Sequence, residues 1–128
     1  MNVRNLLTLN AVLVALVSLT ALLSPTTFLE INGLEITQYT INLMRVYGAI
    51  AVGYAVMSWL MRGEQPSGAR RAFLIGAGVS YIVFALVNVI NIRALPDLET
   101  NIGWVYFGLN VLLGAAFLSF GFKESAAE

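Results

Sequence analysis

Four long apolar runs, set apart from one another by Pro25, Pro66 and Pro96, decide what this chain can fold into. They cover about residues 6–23, 39–61, 72–92 and 102–122. A helix needs about 20 apolar residues to cross the roughly 30 Å hydrocarbon layer, and each run is long enough. A membrane strand instead shows about ten residues of alternating polarity, whereas these runs are apolar all round. Proline removes a backbone donor and clashes with the preceding helical turn, so it suits a boundary between helices. Backbone amides in lipid must be bonded internally, so each run is expected to be one continuous helix. The expectation is an all-α integral membrane protein: an antiparallel four-helix bundle in which residues 1–128 form a single transmembrane domain. The first run follows Arg4, is longer than the 7–15 residues usual in a signal peptide, and shows no small-x-small cleavage site before Pro25. It is expected to be a retained span.

Composition agrees. The chain is 59% hydrophobic and 11% charged, with a mean hydropathy of +0.81, against roughly 45–50% apolar and about a quarter charged in a soluble domain. Seven basic and seven acidic residues cancel, which argues against nucleic acid held by net positive charge. With no Cys and no His, the chain lacks disulfides, thiol chemistry, the usual zinc ligands, His-assisted nucleophiles and imidazole ligation of haem.

Orientation follows from the basic residues. Arg4, Arg62, Arg70, Arg71 and Lys123 fall on one side of a four-span chain, while the other side has Arg93 with Glu30, Glu35, Asp97 and Glu99. Basic loops stay in the cytoplasm, so both termini are expected there. Trp59 and Phe122 then lie at inner ends, and Tyr39, Trp104 and Tyr106 at outer ends, where aromatic belts form.

The first outer loop reads PTTFLEINGLEITQ over residues 25–38. Asn32-Gly33 is a strong signal for a two-residue β-hairpin turn, which would set Glu30 opposite Glu35. Like charges directly opposite are unfavourable. The competing form is a short amphipathic helix at the membrane surface.

Helices pack in lipid through small residues that let backbones approach. The candidates at helical spacing are Ala49 and Gly53 in the second run, Gly76 and Ser80 in the third, and Gly108 and Gly114 in the fourth. Ala11, Ala15 and Ser18 mark a similar stripe in the first. Asn42, Val46 and Tyr47 also match Asn101, Val105 and Tyr106 at one common offset, a trace of duplication into parallel halves.

Arg45 is the one charge inside a run. Burying arginine in lipid costs a few kcal/mol even on lenient scales, so such residues face water or protein. Asn42, Tyr47, Asn88, Asn91 and Asn110 fall at comparable depth, counted from the outer side. Two readings stand. In one, Arg45 snorkels to the interface and meets phosphate or an outer-loop carboxylate. In the other, these six residues line a pocket for a bound lipid, quinone or carotenoid, because a guanidinium forks onto carboxylate or phosphate. No cofactor is otherwise expected. All seven acidic residues lie outside the runs, and no run is broken by proline. Transporters and pumps usually carry buried carboxylates, histidines or broken helices. No acid–base pair, glycine-rich phosphate loop or metal-ligand spacing is present, so an enzyme is not expected.

The chain resembles a broad set of small bacterial four-helix membrane proteins. The resemblance is carried by the Leu-rich first span ending at Leu22-Leu23-Ser24-Pro25, by Gly33 in the outer loop, and by an Arg-x-Tyr/Phe-Gly signature opening the second helix, here Arg45-Val46-Tyr47-Gly48. Trp59 and Arg62 close that helix, and Trp104 begins the fourth. The resemblance implies the four-helix fold and no activity. A fainter similarity, in helix count, reaches a sterol-pathway scaffold and is analogy only. The expected function is that of a non-enzymatic accessory or scaffold subunit of a larger respiratory or photosynthetic membrane complex, with membrane lipids and partner subunits as its neighbours. A lipid, quinone or carotenoid binder is the alternative, and a small transporter comes third.

Overall fold

The computed structural model describes residues 2–94 and 101–125. The described residues are helical, with five helices in chain order: α1 (Val3–Leu23), α2 (Pro25–Ile31), α3 (Gln38–Met61), α4 (Gly68–Ala94) and α5 (Asn101–Ser125). All except α2 are long and apolar enough to cross a membrane. Asp97 and Glu99, expected in the second outer loop, lie outside the described residues.

The long helices begin before the apolar runs, and polar residues finish the hydrogen bonding at three of these starts. Asn2 caps α1 by accepting from the Asn5 N–H at 2.8 Å. Thr37 and Thr40 form a reciprocal capping box at α3: the Thr37 hydroxyl accepts from the Thr40 N–H at 3.1 Å, and the Thr40 hydroxyl accepts from the Thr37 N–H at 2.9 Å. Ser67 accepts from the Arg70 N–H at 3.2 Å at the start of α4.

Of the two forms expected for residues 25–38, the β-hairpin does not form and a short helix, α2, does. Pro25 occupies the first turn of α2, where its missing N–H costs nothing. A type I′ hairpin needs positive φ at both central residues, but Asn32 has φ −92° and only Gly33 is positive, at 63°. Asn-Gly instead ends a helix. The Leu34 N–H donates to the Leu29 carbonyl at 2.9 Å and the Gly33 N–H to the Glu30 carbonyl at 3.1 Å, the pair of bonds of a Schellman cap. The Asn32 side chain also donates to the Phe28 carbonyl at 2.7 Å. Glu30 and Glu35 are both exposed and do not face each other across a ladder.

The chain divides into two compact units, Met1–Gly63 and Glu64–Glu128. In the first, α1 and α3 pack antiparallel: Asn10 meets Ser58 near one end, and Gly48 meets Ser18 and Leu22 near the other. A Cβ built on Gly48 would lie 2.7 Å from the Ser18 carbonyl oxygen and 2.8 Å from the Leu22 backbone nitrogen, so only glycine fits there. The short α2 packs against both long helices through buried Pro25 and Leu29, and Phe28 rests on Tyr47 with ring centroids 6.3 Å apart. In the second unit, α4 and α5 pack antiparallel with Gly78 against Leu118, Gly114 against Ile82 and Gly121 against Ile75. Phe117 is fully buried and stacks on Tyr81 at 5.8 Å.

Burial is inverted relative to a water-soluble fold. Asn10, Ser18 and Ser58 have no exposed surface, while Leu16, Ile50, Leu86 and Leu112 are each more than half exposed. Large apolar side chains on the outside and small or polar ones between helices suit a hydrocarbon solvent, where apolar burial drives nothing and close approach does.

Candidate functional site

Three of the six residues expected to form a pocket lie in the first unit. Asn42, Arg45 and Tyr47 are all on α3 and all exposed. Asn42 and Arg45 share a face at i, i+3 spacing, together with Gln38, whose side-chain amide donates to the Asn42 carbonyl oxygen at 3.2 Å. Arg45 stands about 10 Å along the axis from Gln38, at 1.5 Å per residue. It makes no hydrogen bond or ion pair among the described residues. The carboxylates Glu30 and Glu35, between α1 and α3 in the chain, are therefore not its partners. Tyr47 points to another side of α3, towards Phe28 of α2.

The other three, Asn88, Asn91 and Asn110, lie in the second unit. Asn91 is exposed, and Asn88 and Asn110 are half-buried. The antiparallel register set by Gly78–Leu118 and Gly114–Ile82 places Asn88 level with Gly108, and Asn110 level with Leu86. The two asparagines are thus at nearly one depth, and no hydrogen bond joins them.

Of the six small residues expected to pack helices, Gly114 lies in its hairpin's contact, with a Cβ there 2.7 Å from Ile82. Gly53, Gly76 and Gly108 have nothing within 4 Å of a built Cβ, and Ala49 and Ser80 are exposed. The close approaches within each hairpin use Gly48, Gly78 and Gly121 as well as Gly114. Gly48 was legible only as part of the Arg-x-Tyr-Gly string, and spacing alone does not separate it from Gly53.

Sequence reasoning also missed two polar contacts. In the first unit the buried Asn10 amide donates to the Ser58 hydroxyl at 2.7 Å, and Ser58 donates to the Tyr54 carbonyl at 3.1 Å. The Tyr54 hydroxyl lies against the same Asn10 side chain. A polar group between two membrane helices is stabilised by such a partner, so Asn10 pins α1 to α3. In the second unit Arg70 forms an ion pair with Glu124, its Nε donating at 2.9 Å, and its guanidinium also reaches the Glu64 carbonyl. Both side chains are nearly buried, at 12% and 10% exposure, so this basic residue in the first turn of α4 is a clasp at the ends of α4 and α5. Arg62, by contrast, folds back on its own helix: its guanidinium lies 3.4 Å from the Trp59 ring centroid and donates to the Trp59 carbonyl at 3.2 Å.

Among the described residues no group of His, Cys, Asp or Glu is placed to hold a metal ion. The described residues define a class: a helical fold with four helices long and apolar enough to cross a membrane. No protein-family model, characterised protein or solved structure matches the chain.

Proposed function

We propose that this chain is a non-enzymatic accessory or scaffold subunit of a larger bacterial membrane complex, respiratory or photosynthetic, with both termini in the cytoplasm. The support is the second set of small residues. Each hairpin is closed by its own glycines, Gly48 in one and Gly78, Gly114 and Gly121 in the other. Gly53, Gly76, Ser80 and Gly108 then stand on faces that those closures do not use. In lipid, small residues on a helix face are where another backbone comes close, and a subunit of an assembly needs such faces.

The test is purification from native membranes in a mild detergent, with mass spectrometry of the co-eluting chains. Stoichiometric partner chains, lost on Gly53→Leu or Gly76→Leu, are the expected result. A particle containing this chain alone at low detergent, unchanged by either variant, refutes the proposal.

A further inference from the structure

We infer that the outward face of α3 seats an anionic phospholipid, with its headgroup phosphate on Arg45 and Asn42. The inference depends on α3 lying in a bilayer and is independent of the subunit proposal. Gln38, Asn42 and Arg45 follow one another on a single exposed face, and Ala49, Val52 and Val56 continue the same face into the apolar part of the helix. Arg45 is thus the last charged side chain before sixteen residues, 46 to 61, that contain no charge. That is the depth at which headgroup gives way to acyl chain. Side chains on a helix lean towards its N-terminus, so Arg45 and Asn42 both reach back towards the interface.

The chemistry of this face selects the ligand. The Asn42 carbonyl oxygen is already used by Gln38, which leaves the Asn42 amide N–H groups and the five guanidinium N–H groups of Arg45 as donors. A row of donors around one fixed positive charge matches the oxygens of a phosphodiester. No carboxylate competes: neither Glu30 nor Glu35 pairs with Arg45, and the ion pair that does form among the described residues, Arg70–Glu124, belongs to the other unit. An anionic lipid such as phosphatidylglycerol is favoured over a zwitterionic one, whose own cation already offsets the phosphate.

The experiment is native mass spectrometry of the full chain titrated with phosphatidylglycerol or with phosphatidylcholine. The wild type should retain phosphatidylglycerol preferentially. Arg45→Gln should weaken that retention about tenfold, Asn42→Ala less, and Arg45→Lys should fall between, since an ammonium is a single point charge. Arg62→Gln, at the other end of α3, should leave it unchanged. Equal retention by Arg45→Gln and wild type overturns the inference, as does an equal loss in Arg62→Gln. Loss of a co-purifying polypeptide on Arg45→Gln, with lipid retention intact, also overturns it by giving Arg45 a protein partner. Should Arg45→Gln fail to fold, a photoactivatable phosphatidylglycerol decides on the wild type. Label concentrated on residues 42–56 supports the inference, and label spread evenly over the helices refutes it.

Discussion

Replacing Gly48 by alanine adds one methyl group, and its cost can be worked from the geometry. The new Cβ would sit 2.7 Å from the Ser18 carbonyl oxygen and 2.8 Å from the Leu22 nitrogen. Both are backbone atoms of α1, so no rotamer change relieves the clash and the two helices must part. An ordinary contact requires a further separation of roughly 0.5 Å, and a gap of that order forfeits about a quarter of the dispersion energy of the atoms on either side. With ~40 atom pairs at about 0.1–0.2 kcal/mol each, the loss is about 1–2 kcal/mol, within the about 1–3 kcal/mol typical of overpacking. The better helix propensity of alanine returns about 0.5–1 kcal/mol. Gly53→Ala is the matched control: it has the same propensity gain on the same helix, with nothing within 4 Å of the added Cβ. The two variants should differ by about 1–2 kcal/mol, roughly a 5- to 30-fold change in the unfolding constant. Reversible unfolding in mixed micelles by added SDS, followed through Trp59 and Trp104 fluorescence, measures this. Gly48→Ala as stable as Gly53→Ala would mean that the close α1–α3 approach is not what holds the first hairpin.

Other outcomes follow from the same contacts. Asn10→Ala and Ser58→Ala should each cost about 1 kcal/mol, with a double-mutant coupling of about 0.6–1.7 kcal/mol; additivity of the two would show that their hydrogen bond contributes nothing. Leu29→Ala empties a fully buried position and should cost about 2–4 kcal/mol, measured by the same SDS titration and accompanied by faster proteolysis near residues 25–34. Glu124→Gln breaks the Arg70 pair and should destabilise the second unit by about 1–2 kcal/mol, with little dependence on salt because both partners are nearly buried; a strong salt dependence would mean that the pair is open to solvent. Since the chain contains no cysteine, Ser67→Cys should resist a membrane-impermeant maleimide in intact cells while Leu34→Cys reacts, and the reverse pattern would invert the proposed orientation.

The four long helices were legible because length and apolarity together leave a bilayer-spanning chain almost no other structure. The C-terminal ends of α1 and α3 match the ends of their runs, but the N-terminal starts were not legible, because they depend on capping groups such as Asn2 and Thr37, which lie outside the apolar runs. The Asn32-Gly33 turn was visible as a turn, but its partner elements were not: the same dipeptide closes a hairpin or ends a helix, and Pro25 seven residues earlier tips it to the second. The small-residue stripes show where a hidden surface is possible in principle, yet Gly48 and Gly53 differ only by which face meets α1, which no periodicity reveals. Asn10 was passed over because a single polar residue in a leucine-rich span has no pattern. Its role emerges only when Ser58, far away in sequence, is brought beside it.

The pairing of α1 with α3 and of α4 with α5 also bears on how the protein is made. Everything the first hairpin needs, from the Asn10–Ser58 bond to the seat of Leu29, has been synthesised once Gly63 is translated. That half can therefore assemble in the insertion machinery while the remainder is still being synthesised. Residues 1–63 and 64–128, encoded as separate genes, should accordingly each accumulate in membranes as folded pieces.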